Sequence, residues 1–162
     1  LRFKSNRGRG GVVENIYIDG INMINIPNDA ILFDLFYGGK SREEELTEGK
    51  VINSVQKYPV TIETPCFKNI HIKNVVCNGA GSAALFNGLP EMRIENVKLE
   101  YINITNSKSG VVINNVNNAI LKNVNIQTIS GEDSFELKNC SNITIGGTLY
   151  KTVDNKEIKI NK

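Results

Sequence analysis

The sequence predicts an all-β fold, a solenoid of parallel strands of the β-helix type. One observation is a short motif that recurs along the chain: asparagine, an apolar residue, any residue and an apolar residue. Another is that the stretches between its copies show no apolar stripe at helical spacing. The copies are Asn15-Ile16-Tyr17-Ile18, Asn69-Ile70-His71-Ile72, Asn96-Val97-Lys98-Leu99, Asn123-Val124-Asn125-Ile126 and Asn142-Ile143-Thr144-Ile145.

Each copy of the motif alternates apolar and polar residues, which is typical of a strand with one buried face. Successive motif asparagines lie 54, 27, 27 and 19 residues apart. Short strands that recur at such spacings without helices indicate a parallel β-solenoid. Asparagine fits this fold because it tolerates the left-handed conformation that a sharp corner between strands requires.

A β-sandwich is the competing architecture, and it predicts hairpin turns such as Asn-Gly between adjacent strands. The Asn-Gly pairs of this chain are Asn78-Gly79 and Asn87-Gly88. Neither pair lies midway between two matched strands, so the solenoid is favoured.

The elements are expected to form one β-helix domain over residues 1–162. The repeat should occupy two segments before a polar excursion and four after it. Residues 38–58 are the excursion, with the charged run Arg42-Glu43-Glu44-Glu45 at its centre, and residues 78–90 are expected to form a loop or a tight corner. The lysine-rich residues 149–162 should close the last turn against water. The repeat segments are residues 12–26, 30–37, 61–77, 91–104, 110–129 and 134–145.

Composition excludes several classes of function. The net charge of the 162 residues is +2, which gives no global attraction to nucleic acid. No apolar run reaches the ~18 residues of a transmembrane helix. Cys66, Cys77 and Cys140 lie in or beside apolar strand patterns and are expected to be small buried hydrophobic residues, with a Cys66–Cys77 bridge as the minor alternative. His71 is the single histidine and should face outward, so neither a metal site nor a cofactor is expected.

The first residues are basic and rich in glycine. Arg2 and Lys4 are two positions apart, which on a strand places both side chains on one face. Two such cations repel each other unless an anion, a carboxylate or a phosphate, lies between them. The alternative is a solvated basic terminus. The chain also opens inside a strand, so we expect it to be the C-terminal part of a longer protein or to be covered by another chain.

The basic start, the glycines and the Asn-apolar strands together resemble the C-terminal part of the polygalacturonase family, glycoside hydrolase family 28. These are right-handed parallel β-helix enzymes that hydrolyse pectin. The family has an Arg-apolar-Lys motif on a strand that faces the substrate cleft, matched here by Arg2-Phe3-Lys4. A family tyrosine at the end of the next apolar strand is matched by Tyr37. Residues 5–11, SNRGRGG, are similar to the bacterial, exo-acting branch.

The resemblance implies that Arg2 and Lys4 bind a galacturonate carboxylate of the substrate, and that Tyr37 lines the same subsite. Arg7 and Arg9 could extend this anionic cleft or could pair with nearby acids. The family's catalytic aspartates and histidine precede the Arg-apolar-Lys motif, so no catalytic residue is expected in this chain, and the chain alone should be inactive.

Other acids of the chain are poor substitutes for the missing carboxylates. Asp29 and Asp34 flank or interrupt an apolar strand, and Glu132-Asp133 lies in a glycine-containing turn. An inverting glycosidase needs two carboxyl groups about 6.5–9.5 Å apart. The implied function is therefore substrate-carboxylate binding within a pectin-degrading hydrolase, with an acidic polysaccharide as its partner. The protein is then periplasmic or secreted, because pectin lies outside the cell. The alternatives are a non-catalytic polysaccharide-binding β-helix and a structural solenoid.

Overall fold

The computed structural model describes residues 1–36, 57–131, 134–151 and 157–161. All regular secondary structure in these ranges is β-strand. The nine strands are β1 (Arg2–Lys4), β2 (Val12–Asp34), β3 (Cys66–Asn87), β4 (Ile94–Asn114), β5 (Val116–Thr128), β6 (Phe135–Lys138), β7 (Ser141–Ile145), β8 (Thr148–Tyr150) and β9 (Glu157–Ile160).

The strands form one sheet in which consecutive strands are neighbours, in the order β1-β2-β3-β4-β5-β7-β8. Strand β6 pairs with β4 and with β9. The pairs from β1 to β7 are all parallel. The two pairs made by the C-terminal strands, β6–β9 and β7–β8, are antiparallel. The prediction of an all-β chain with parallel strands is confirmed, and this topology is compatible with a β-helix.

The long strands bend at residues in the left-handed conformation. In β2 these residues are Asn15, Gly20 and Asn25, with φ of 59°, 75° and 53°. Each bend therefore follows the previous one after five residues, and the alternation of inward and outward side chains restarts there. The asparagine that begins each copy of the motif has φ between 54° and 59°, which confirms the conformation predicted for Asn15, Asn69, Asn96, Asn123 and Asn142.

Asparagines at equivalent bends stack on one another across the strands. The Nδ2 of Asn69 donates to Oδ1 of Asn15 at 3.2 Å, Asn96 donates to Asn69 at 2.9 Å, and Asn118 donates to Asn96 at 2.7 Å. The register aligns Val97 with Ala119, so the step from β4 to β5 at this bend is 22 residues and not 27. Asn123, which the 27-residue spacing aligned with Asn96, lies at the next bend of β5.

The core is built from the inward residues of successive strands. Ile70, Ile72, Val75 and Cys77 of β3 are each at most 1% exposed. The ring of Phe33 stacks between two other phenylalanine rings, with centroid distances of 4.5 Å to Phe3 and 5.3 Å to Phe86. The equivalent residues in the first half of β2 are only half-buried, because β3 alone pairs with that half among the described residues.

Several boundaries differ from the predicted ones. Residues 12–26 and 30–37 were expected as separate strands, but β2 runs from Val12 to Asp34 with a register shift between Ile26 and Asp29. The expected loop at 78–90 is mostly strand, since Gly79 bends β3 without ending it. Left-handed bends thus replace the loops that a sequence pattern suggests.

Other predicted segments lie partly outside the described residues. Of the polar excursion at 38–58, residues 38–56 lie outside the described residues, and so does the acidic run at 43–45. In the tail, β8 and β9 add antiparallel strands to the end of the sheet.

The cysteines are free thiols, so the alternative of a Cys66–Cys77 bridge is wrong. Cys77 and Cys140 are buried as expected, whereas Cys66 is half-buried. Within the described part of the chain there is no helix of the length and apolarity that a membrane crossing needs.

Candidate functional site

The strand β1 places Arg2 and Lys4 on one face of the sheet. It pairs in parallel with the end of β2, with Arg2 opposite Leu32, Phe3 opposite Phe33 and Lys4 opposite Asp34. Because Phe3 stacks on Phe33 in the core, its neighbours Arg2 and Lys4 point to the outer face. Arg2 is exposed and Lys4 is half-buried.

A row of polar side chains follows Lys4 across the outer face. The register places Lys4, Asp34, Asn87, Asn114 and Lys138 side by side on five successive strands. The Nδ2 of Asn87 donates to Oδ1 of Asp34 at 2.9 Å, and the Nδ2 of Asn114 donates to Oδ1 of Asn87 at 3.0 Å. The Asn87 amide therefore donates to the Asp34 carboxyl, and the Asn114 amide donates in the same direction, to Asn87.

Asp34 occupies a half-buried position in this row. Burial raises the pKa of its carboxyl, and the hydrogen bonds from the Phe36 N–H and from Asn87, together with the charge of Lys4, lower it only part of the way back. The backbone N–H of Phe36 donates to Oδ1 at 3.0 Å, the same oxygen that accepts from Asn87. A carboxyl with a raised pKa beside a lysine is a group that can change its protonation state when a second anion arrives.

Arg7 does not extend the basic face, because it pairs with an acid. Its Nε and Nη2 donate to the two carboxylate oxygens of Glu91 at 2.6 and 2.9 Å. The guanidinium also lies over the rings of Phe36, at 5.2 Å, and Tyr58, at 4.6 Å. Of the two possibilities left open for Arg7, pairing with a nearby acid is thus the observed one.

The Arg7–Glu91 pair fixes the loop that follows β1 to the turn between β3 and β4. The Glu91 side chain is 4% exposed. Burial raises the pKa of its carboxyl, but the hydrogen bonds and charge of Arg7, together with backbone hydrogen bonds from Glu91 and Tyr58, bring the pKa below its ordinary value. Arg9, on the same loop, is exposed.

The remaining predicted site residues are placed as follows. Tyr37, Glu132 and Asp133 lie outside the described residues. Asp29 is half-buried on β2, opposite Ser82. Among the described residues, the acid that lies opposite Lys4 in the strand register is Asp34.

A second group of charged side chains lies on β2, β3 and β4, at positions other than those of the row that begins at Lys4. His71 Nε2 and Lys98 Nζ each lie 2.8 Å from Oε2 of Glu100, and their hydrogen bonds lower the pKa of that carboxyl. Lys73 lies 3.0 Å from Asp19. Opposite charges alternate across neighbouring strands here, and such cross-strand pairs of opposite charge help to stabilise a sheet. His71 lies between the inward-facing Ile70 and Ile72, so it faces outward as predicted, but its neighbours leave it half-buried.

The described residues contain no group of three or more His, Cys, Asp and Glu side chains that could hold a metal ion. A shallow groove of about 420 Å³ lies farther along the same outer face as Arg2 and Lys4, lined in part by Val112, Glu136 and Lys159. These residues continue the row of Arg2, Leu32 and Leu85 in the strand register. The middle of this row is apolar and Leu32 is buried, so the groove and Arg2 lie at its two polar ends.

Comparison of the chain with models of known protein families, with curated proteins and with solved structures returned no match.

Proposed function

We propose that this chain is the C-terminal part of a pectin-degrading glycoside hydrolase of the polygalacturonase type, and that its strands wind into a right-handed parallel β-helix. Its role is to bind substrate carboxylates, while the catalytic aspartates belong to a preceding part of the protein. The supporting observation is that Arg2 and Lys4 share the outer face of β1 while Phe3 between them, partly buried, stacks on Phe33.

The geometry of β1 suits a carboxylate ligand. The Cα atoms of residues two apart on a strand are separated by roughly 6.5–7 Å, so an anion between the two side chains can accept from both. The Arg2 guanidinium offers paired donors that match the two oxygens of a carboxylate, and the Lys4 ammonium adds a point charge. A polysaccharide with one carboxylate per sugar is the ligand class that such a face selects.

The extended row of polar side chains supports a chain-like ligand. Amide and lysine side chains continue the row from Asp34 to Lys138, and the groove at Val112, Glu136 and Lys159 lies on the same face. Strands stack at about 4.8 Å, so five strands span roughly 19 Å, the scale of a short oligosaccharide. The substrate is then outside the cell, and the protein is periplasmic or secreted.

The test is product analysis of the full-length protein on polygalacturonate, with Lys4→Ala and Arg2→Ala in parallel. Each substitution removes a charge-assisted hydrogen bond of roughly 1.5–3 kcal/mol, so kcat/KM should fall about 10- to 100-fold. Lys122→Ala is the matched control, since it removes an exposed lysine of β5, a strand that does not pair with β1 or β2, and should leave the rate unchanged.

The alternatives give different outcomes. A protein that retains polygalacturonate on an affinity column without releasing galacturonate is a non-catalytic binding β-helix. A protein that neither binds nor cleaves it, and that is indifferent to Lys4→Ala, is a structural solenoid. Turnover by the 162-residue chain alone would contradict the placement of the catalytic acids elsewhere.

A further inference from the structure

The two oxygens of the Asp34 carboxyl are used differently. Oδ1 accepts both hydrogen bonds, from the backbone of Phe36 and from the amide of Asn87. Within the described residues Oδ2 has no hydrogen-bond donor. The carboxyl is therefore held in one orientation by its first oxygen, and Lys4 lies directly opposite Asp34 in the strand register.

Among the residues that the structure describes, the charges near Asp34 come from β1, from β2 and from the loop after β1. Lys4 faces it from β1, and Asp29 acts on it from its own strand. Its neighbour on β3 is the uncharged Asn87. Arg7, whose guanidinium lies over Phe36, is already neutralised by Glu91. Lys4 is thus the cation that opposes the burial of this carboxylate.

A carboxylate bound to Lys4 would lie next to the Asp34 side chain, because the two residues are directly opposite on neighbouring strands and share one face of the sheet. Two carboxylates this close repel each other, and one of them takes up a proton when the site is partly shielded from water. Bound ligand also draws away the charge of Lys4, which is the charge that helps to keep Asp34 ionised. Both effects favour protonation of Asp34 when the site is filled.

We propose that Asp34 takes up one proton from solvent when a uronate carboxylate binds to Arg2 and Lys4, and that its Oδ2–H then donates a hydrogen bond to that carboxylate. The only bond formed is the Oδ2–H bond of Asp34, which breaks again when the ligand leaves and the proton returns to solvent. Asp34 is thus a specificity-determining residue that makes the face bind carboxylated sugars in mildly acidic surroundings and release them at higher pH. The inference rests on the proposed function.

The experiment is calorimetric titration of the full chain with tri-galacturonate between pH 4.5 and 7.5, in two buffers with different heats of ionisation. The difference in heat between the buffers gives the number of protons taken up. We expect uptake to approach ~1 proton per ligand, and the affinity to fall by up to roughly tenfold per pH unit above the pKa of Asp34 in the free protein.

Asp34→Asn is the diagnostic variant, because asparagine can still accept from Asn87 and Phe36 and so preserves the row. It should bind without proton uptake, with an affinity independent of pH and at least about tenfold higher than that of the wild type at pH 7.5. Asp29→Asn removes one charge from the same strand and should keep the wild-type proton uptake.

The outcomes separate the two proposals. Binding of tri-galacturonate without proton uptake, or with uptake that survives Asp34→Asn, overturns the role of Asp34 and leaves the carboxylate-binding face intact. Failure to bind tri-galacturonate at every pH overturns both proposals. Equal binding of neutral galactotriose also overturns both, because a ligand without a carboxylate has nothing to share a proton with.

Discussion

Two carboxyl groups near the basic loop have pKa values shifted in opposite directions, and their partners explain why. Glu91 is almost fully buried but has a bidentate arginine, so its pKa is lowered in spite of burial. Asp34 is bound by two uncharged donors on one oxygen, so burial dominates and raises its pKa. A charged partner at hydrogen-bond distance is what offsets desolvation. Glu91 is therefore suited to stabilising the fold, and Asp34 is suited to changing its protonation state.

Glu91→Gln should lower the free energy of unfolding at pH 7 by roughly 1.5–3 kcal/mol, because Arg7 loses its charged acceptor. The folded-state pKa of Glu91 is depressed, so its stabilisation is present above the unfolded-state pKa of about 4.3 and is lost as the pH falls through the folded-state pKa. Urea unfolding at pH 7 and near pH 3 measures both effects. Glu95→Gln, at an exposed position on β4, is the control; an equal cost in the two variants would refute the role of the Arg7 pair.

The asparagines that begin the strand motifs act at the scale of the element. Each has a positive φ that other residues with a Cβ adopt at a cost, and the amides of Asn15, Asn69 and Asn96 are linked by hydrogen bonds across neighbouring strands. The side chain therefore stabilises the bend and the register together. This explains how β2, β3 and β4 can turn repeatedly without a loop.

Asn69→Ala should be more destabilising than Asn69→Gly. Both variants lose the bonds to Asn15 and Asn96, each worth about 0.5–1.5 kcal/mol, but only alanine adds the roughly 1–2 kcal/mol penalty of the left-handed conformation. The free energies of unfolding of the two variants give the difference directly. If alanine and glycine cost the same, the bend does not depend on the left-handed preference of asparagine.

At the scale of the whole molecule, stability comes from stacking each strand on the next in sequence. The most extensive contacts join β2 to β3 and β3 to β4. The exposed faces carry alternating charges across the strands, as in the row of Asp19, Lys73, Glu100 and Lys122. A strand with a neighbour on each side forms backbone hydrogen bonds along both of its edges. A strand with a single neighbour leaves every second amide unpaired.

Native-state hydrogen exchange should therefore differ between two strands of similar sequence. In the β3 segment from Ile70 to Cys77, which lies between β2 and β4, the amides should be protected, because carbonyl acceptors are available on both sides. In the equivalent β2 segment from Ile16 to Met23, alternate amides should exchange about as fast as unfolded peptide. Uniform protection along that β2 segment would show that its outer edge is paired in solution.

The fold class could be predicted because its signals are local. The alternation of Asn69-Ile70-His71-Ile72 shows which side chains are buried, and the asparagine marks the bend. The spacing of 27 residues relates Asn123 to Asn96, but in the structure it is Asn118, five residues earlier, that stacks on Asn96. Asn118 is also an asparagine followed by an apolar residue, so the local pattern fits both. Where several asparagines lie one bend apart, a local pattern does not decide which of them stack.

The sequence alone determined that Arg2 and Lys4 share a face, since strand periodicity requires it. Only the tertiary structure decided which acids meet the basic stretch. Glu91 reaches Arg7 across 84 residues, and Asp34 meets Lys4 because β1 packs Phe3 against Phe33 in that register. Pairing between distant strands is set by packing of the core, which leaves no trace in the spacing of charged residues.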